Sequence, residues 1–185
     1  MRQPLVGRDH SDRPQRFEHS RVVINVSQSG CPLLTAQTIP VDPFELVVFG
    51  GTGDLAYRKL LPALFHRDRA GQIIGPSRII AVSRREMSDE DFKASTREAI
   101  ERFVPSEERT EAQVASFLDR VSYVAVDGAG DAGWDDLKNR LGNSDAFIRV
   151  FYLAVNPELF GPICQGIQRS DLITNEARVV IEKPI

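Results

Sequence analysis

Residues 47–65, VVFGGTGDLAYRKLLPALF, set Gly50, Gly51 and Gly53, the hydroxyl of Thr52 and the carboxylate of Asp54 between an apolar run and a run with helical spacing. A strand that ends in glycines and opens directly into a helix is the phosphate-binding turn of dinucleotide folds. Two registers fit: Gly51, Gly53 and Ala56 match G-x-G-x-x-A, and Gly50, Gly53 and Ala56 match G-x-x-G-x-x-A. In either register one glycine allows the sharp turn, Gly53 lets the backbone approach a pyrophosphate, and Ala56 permits close helix–strand packing. The helix start then offers unpaired N–H groups and about half a positive charge to the anion. Asp54 is placed to cap that helix, and Thr52 to add a hydroxyl donor. The plain alternative is a tight strand-to-helix turn with no ligand. A P-loop is excluded, because no Lys-Ser or Lys-Thr follows the glycines.

The end of the next strand bears on which dinucleotide would bind. An acid there would hold a ribose hydroxyl, but the sequence reads Ser83-Arg84-Arg85, and Glu86 comes late for that role. Two guanidinium forks suit the oxygens of a 2′-phosphate, which favours NADP over NAD. Other chemistries find no residues. His10, His19 and His66 all fall in the first third, a poor basis for a zinc site. Cys31 and Cys164 lie far apart and read as two unpaired thiols of a reducing cytosol. A Tyr-x-x-x-Lys pair is excluded, since Tyr57, Tyr123 and Tyr152 are followed four residues on by Leu61, Asp127 and Asn156.

The elements that must position these groups alternate along the chain. FELVVF (44–49), RIIAVS (78–83), VSYVAV (121–126), AFIRVFYLAV (146–155) and ARVVIEKP (177–184) read as buried strands. Between them, LAYRKLLPALFHRDRAG (55–71) has helical spacing, with Pro62 inside it predicting a kink or a late start. A second helix opens at Ser88 as N-cap and turns Phe92, Ala99 or Ile100, and Phe103 inward. A third runs from Glu107 to Arg120 with Val114, Phe117 and Leu118 inward. GWDDLKNRL forms a short fourth, and Pro157 starts a fifth. This alternation predicts an α/β class: a Rossmann-like, doubly wound, mainly parallel sheet with helices on both faces. Residues 1–42, rich in Arg, Ser, Gln and Pro, are expected to be a mostly disordered extension; RVVINV (21–26) has the pattern of a stray strand, but nothing nearby completes a hairpin with it. Residues 43–185 form the expected NADP-binding domain.

The totals agree with a globular protein: 185 residues, 42% hydrophobic and 26% charged, with a net charge of -3. That charge gives no general electrostatic case for nucleic acid or an anionic membrane. No apolar run approaches the ~20 residues that span a bilayer. The first residues hold no apolar core with a cleavage site, so no secretory signal is expected and the location expected is cytoplasmic.

Three segments resemble glucose-6-phosphate dehydrogenases. FGGTGDLAYRKLLPALF is similar to that family's cofactor turn, YLAVNPELF to its strand end and proline turn, and RVVIEKPI to its E-K-P-F-G segment. The resemblance runs from about Glu45 to Ile185. It implies that Gly50, Gly51, Thr52, Gly53, Asp54, Leu55, Ala56 and Tyr57 wrap the pyrophosphate, and that Arg84 holds the 2′-phosphate of NADP. Asp127 and Gly128 would line the adenosine side, Pro157 would shape the nicotinamide region, and Lys59 and Lys183 would lie near substrate and cofactor. The implied reaction oxidises glucose 6-phosphate to 6-phosphogluconolactone with NADP as hydride acceptor, the first step of the pentose phosphate pathway. The complete enzyme is expected to be a homo-oligomer without nucleic-acid or membrane partners.

This sequence departs from the family pattern at Ile185, where the family has Phe, and at Tyr57, where a lysine is frequent. The family's R-I-D-H-Y-L-G-K motif and catalytic histidine would lie beyond residue 185. His66, on the first helix, has no obvious orienting acid. The chain is therefore expected to carry the coenzyme part of an enzyme and to be inactive by itself. A non-catalytic NADP-binding module or a decayed fragment is the alternative.

Overall fold

The computed structural model describes residues 39–142 and 147–181. The expected extension up to residue 38, the strand at RVVINV, and Lys183 with its E-K-P neighbours lie outside the described residues. Five strands form one wholly parallel sheet: β1 (Phe44–Phe49), β2 (Arg78–Ser83), β3 (Val121–Ala125), β4 (Ile148–Leu153) and β5 (Arg178–Ile181), in the spatial order β3-β2-β1-β4-β5. The chain winds outward from β1 in one direction through β2 and β3, then crosses back to β4 on the other side. The doubly wound class expected from the alternation is the class observed.

Strand β2 feeds both faces, whereas β5, expected to be a buried strand, is exposed from Arg178 to Ile181 because it is the sheet edge. Ile80 and Val82 of β2 join Val47, Phe49, Phe151 and Leu153 on one face, against Trp134, Leu137, Ile163 and Ile167. These last come from α4 (Trp134–Leu141) and α5 (Phe160–Arg169). Ile79 and Ala81 point to the opposite face, where they meet Leu61, Phe65, Phe92, Ile100 and Phe117. Those side chains belong to α1 (Leu61–Arg69), α2 (Asp89–Phe103) and α3 (Glu111–Asp119). A parallel strand covered on both sides needs apolar residues at successive positions, which is why the strands are legible as continuous β-branched runs.

The helix ends follow local chemistry. Ser88 accepts from the Asp91 amide at 3.0 Å and caps α2 as its sequence position predicts. The helix expected from Glu107 begins instead at Glu111, because Thr110 and Gln113 form a reciprocal capping box and Ser106–Glu108 winds as a separate 3₁₀ turn. Phe103, expected inward, is 36% exposed at the last position of α2. Pro157 opens a 3₁₀ turn, Pro157–Leu159, that leads into α5.

The late start expected from Pro62 is observed: regular α-helix begins at Leu61, with Pro62 in its first turn. Residues Ala56–Leu60 form a π-helical turn, and the Leu61 amide donates to Ala56 O, five residues back. Proline has no N–H and its ring crowds the carbonyl four residues earlier. Widening the preceding turn by one residue moves that carbonyl aside without breaking the helix.

Beneath the sheet lies a charge cluster that strand-reading by apolar content overlooks. Glu45 of β1 is 0% exposed and Arg149 of β4 is 2% exposed. Arg149 Nε donates to Glu45 Oε2 at 2.8 Å, and Arg78 of β2 bonds the other carboxylate oxygen. Arg149 also donates to Leu172 O at 3.0 Å. Both arginines stand opposite Glu45 in the strand register.

Candidate functional site

The order β3-β2-β1-β4 puts the topological switch point at the carboxyl ends of β1 and β4, where open α/β sheets hold ligands. The glycine turn sits there. Gly50 has φ +83°, and a Cβ on it would lie 2.3 Å from Ala154 O, just past β4. A Cβ on Gly51 would lie 2.6 Å from the Ala81 Cβ. Both glycines are therefore required by the fold itself. Gly53 differs: its φ is ordinary, it is exposed, and a Cβ would meet only Gly50 O, at 3.1 Å.

The amides divide in the same way. Gly50 and Gly51 both donate to Val82 O, at 2.9 and 3.1 Å, and Gly53 donates to Gly50 O at 2.9 Å. These three N–H groups tie β1 to β2 and close the turn, so they are engaged within the chain. Tyr57 N–H makes the first intrahelical bond, to Gly53 O at 3.2 Å. The amides of Asp54, Leu55 and Ala56 precede that bond and are the orphan donors of the helix start. Within the expected segment Gly50 to Tyr57, the amides left for an anion thus narrow to those three at the helix start and that of Thr52.

Three of the expected side-chain roles change. The Thr52 hydroxyl, expected to donate to the anion, donates instead to Ser83 Oγ at 3.0 Å. Asp54 is exposed and pairs with Arg58 at 3.2 Å, one turn along the helix, rather than turning back to the helix start. Tyr57 turns away from the glycines, with its ring 5.9 Å from that of Phe92. Burial raises the Tyr57 phenol above its usual pKa, against the opposing effects of a hydrogen bond with Ser95 and the nearby Arg85 charge. It is an ordinary packing residue of the α1–α2 side.

A crevice of 320 Å³ opens over the switch point. Four expected residues line it together: Gly50, Arg84, Asp127 and Gly128. Sequence reading missed Val155, Asn156 and Ile163, which close it from the β4–α5 side. Asn156 was legible as the residue before a helix-starting proline, and its side chain accepts from the Glu158 amide at 3.2 Å. Gly128 gives the wall its depth, since a Cβ there would lie 2.9 Å from Ile163 Cγ1. Asp127 has a second occupation: its carboxylate accepts from the Ala129 amide at 3.0 Å, and its carbonyl accepts from Trp134 Nε1 at 3.2 Å. Lys59 is exposed on the π-helical turn and does not line the crevice. His66 has an acid after all: its Nδ1 lies 3.7 Å from Glu108 Oε2, but neither residue lines the crevice.

Arg84 stands on the rim, lining both the crevice and a groove of 670 Å³ beyond the β3 edge. It is exposed, and among the described residues its guanidinium has no hydrogen bond or ion pair. Its backbone is less free. Thr52 Oγ1 donates to Ser83 Oγ at 3.0 Å, Ser83 Oγ lies 2.8 Å from the Tyr123 hydroxyl, and that hydroxyl bonds the carbonyls of Ser83 and Arg85. At the same edge, Asp89 accepts from the Tyr123 amide at 2.6 Å and from Arg140 at 2.7 Å. Burial pushes the Asp89 pKa up, but those two hydrogen bonds together with the Arg140 and Lys93 charges outweigh it and hold the carboxyl below the usual carboxylate value.

Among the described residues no cluster of three or more His, Cys, Asp or Glu could hold a metal ion, and no helix is long and apolar enough to cross a membrane. Residues 47–185 match the family model described as glucose-6-phosphate dehydrogenase, NAD binding domain. The glucose-6-phosphate 1-dehydrogenase of Rhizobium meliloti is 47% identical over 152 residues, covering 82% of this chain and 31% of the relative. That of Mycolicibacterium smegmatis is 45% identical over 150 residues, covering 79% and 30%. A crystal structure of the Mycobacterium avium enzyme superposes with a TM-score of 0.68 at 29% identity, over 77% of this chain and 30% of that one. A glucose-6-phosphate dehydrogenase in complex with its substrate glucose 6-phosphate superposes with a TM-score of 0.64 at 31% identity, over 80% and 32%. The chain thus spans just under a third of the length of the relatives it matches.

Proposed function

Because this chain belongs to the glucose-6-phosphate dehydrogenase family, we propose that it forms the coenzyme-binding part of an enzyme that oxidises glucose 6-phosphate to its lactone with NADP as hydride acceptor. The observation that carries the cofactor choice is Arg84, an exposed guanidinium without a partner among the described residues, on the rim of the switch-point crevice. Its planar fork suits a 2′-phosphate. The amides of Asp54, Leu55 and Ala56 would receive the pyrophosphate at the helix start. Gly53 fits that reading: its φ is ordinary and a Cβ would crowd only Gly50 O, at 3.1 Å, so the fold demands glycine less strictly there than at Gly50 or Gly51. Val155 and Ile163 would exclude water beside the dinucleotide. When bound, the nicotinamide ring supplies the hydride acceptor.

Lys59 and Lys183 belong to the substrate side of this proposal. A cytoplasmic setting fits the exposed free thiol of Cys164. Assembly into a homo-oligomer, with neither nucleic acid nor membrane as partner, is part of the same reading of the whole enzyme.

A second reading, a binding module without turnover, is favoured by one observation. Proton removal from the sugar hydroxyl needs a base such as histidine. Among the described residues the crevice lining holds no histidine. The 185-residue chain is accordingly expected to yield no NADPH above background with glucose 6-phosphate, and turnover would refute that reading.

Titration of the purified chain with NADP and NAD tests the cofactor proposal. Arg84→Ala should weaken NADP binding by ~1–3 kcal/mol, the range for a charge-assisted hydrogen bond, and leave NAD little changed. Equal losses for both dinucleotides would contradict the role given to Arg84.

A further inference from the structure

We propose that Tyr123 is a positioning residue for cofactor selection, acting through the backbone that carries Arg84. The inference rests on the reading of Arg84 as the 2′-phosphate ligand.

A long side chain selects a phosphate only as well as its Cα is held. Arg84 lies in the β2–α2 connection, exposed between Ser83 and Arg85. Loop residues of this kind are usually the mobile part of a site. Here one buried phenol holds the backbone on both sides of Arg84. Tyr123 is 3% exposed, and its hydroxyl lies 3.2 Å from Ser83 O and within bonding distance of Arg85 O. The Arg85 amide in turn donates to Ser83 Oγ, at 3.3 Å.

Proton counting gives the network a direction. A phenol and a hydroxyl have one proton each. Ser83 Oγ accepts from Thr52 Oγ1 and from the Arg85 amide, so its own proton goes to the Tyr123 oxygen. The Tyr123 proton is then left for the carbonyls of Arg85 and Ser83. The chain of donors runs Thr52 to Ser83 to Tyr123 to Arg85. It links the glycine turn, where the pyrophosphate would sit, to the segment that would grip the ribose phosphate, and so fixes the spacing between the two anion sites.

The ring itself is anchored independently, stacked 5.4 Å from Phe92 at 27°. Removing only the hydroxyl should therefore leave the core packed and release the Arg84 backbone. The cost should fall on the ligand that uses Arg84.

The test is a titration of the full 185-residue chain, wild type and variants, with NADP and with NAD, alongside thermal midpoints. Tyr123→Phe should lower NADP affinity about three- to tenfold, the span of one net hydrogen bond, with NAD affinity within about twofold of wild type. In an Arg84→Ala background the same change should no longer affect NADP. Ser83→Ala, which breaks the donor chain one step earlier, should shift the NADP-to-NAD ratio in the same direction. If Tyr123→Phe does not fold, Ser83→Ala decides by the same criteria. A wild type that prefers NADP through Arg84, with a ratio untouched by Tyr123→Phe or Ser83→Ala, overturns this proposal alone. Equal weakening of both dinucleotides also overturns it, since that is what a purely structural hydroxyl would give. A wild type that binds neither dinucleotide, or both alike, overturns the reading of Arg84 and this proposal with it.

Discussion

At the scale of single residues, the three glycines of the turn separate into two kinds. Gly50 combines a positive φ with a carbonyl where a side chain would begin, and Gly51 presses on the Ala81 Cβ. Gly53 has an ordinary φ and one tight contact, with Gly50 O at 3.1 Å, which a shift of a few tenths of an ångström would relieve. Gly50→Ala should therefore destabilise the fold by at least ~1–2 kcal/mol, the usual cost of a left-handed non-glycine residue alone. Gly53→Ala should destabilise less than Gly50→Ala, because its one tight contact needs only a small shift of Gly50 O, yet weaken dinucleotide binding. Thermal melts and NADP titrations on both variants check the contrast. A Gly53→Ala chain that binds as well as wild type would remove the ligand from the explanation of that glycine.

Among the elements, β3 is an edge strand, and its exposed side is guarded rather than left open. Asp89, from the start of α2, accepts the Tyr123 amide and pairs with Arg140 of α4. Unpaired edge amides invite pairing with other chains, and a carboxylate placed on one removes that donor. The folded pKa of Asp89 is lowered, so its stabilising contribution is present above the ordinary carboxylate value and is lost as pH falls through the lowered folded value. Asp89→Asn should be less stable than wild type at pH 7, and the gap should close as pH falls below about 4. Urea melts across pH 3–7 would show it, and a gap independent of pH would mean that the charge is not what holds the edge. The other edge strand, β5, has no such guard among the described residues: Val179, Val180 and Ile181 are 48%, 40% and 52% exposed.

For the molecule as a whole, the buried Arg78–Glu45–Arg149 cluster joins the three central strands at the end opposite the crevice. Desolvating charges is expensive, and a pair left half-broken leaves one uncompensated. Glu45→Met should cost about 3–5 kcal/mol, because Arg149 would remain buried without its carboxylate. Changing Arg149→Met as well should restore most of that loss, since an apolar replacement of a buried pair is often neutral or stabilising. Denaturant unfolding of the single and double variants measures both. If the double variant is no more stable than the single, the cluster does more than neutralise itself, and the carbonyl of Leu172 bonded by Arg149 is the next place to look.

Much of this protein is written locally in its chain. Strand β1 between Pro43 and Gly50, the Ser88 cap, and the glycine turn were legible because each depends on neighbouring residues: a β-branched run, an N-cap side chain, and a backbone that needs glycine. The Arg84-Arg85 pair after β2 was legible for the same reason. What the sequence could not disclose are contacts set by strand order and register. Glu45 and Arg149 are 104 positions apart and meet only because β1 and β4 are neighbours in the sheet. Ser83 and Tyr123 meet because β2 lies beside β3. Likewise, which amides of the turn remain free for an anion was decided by Val82 O, a partner on another strand. Propensity and capping act over a few residues of backbone, whereas burial, pairing and the aim of a side chain depend on which elements the tertiary fold brings side by side.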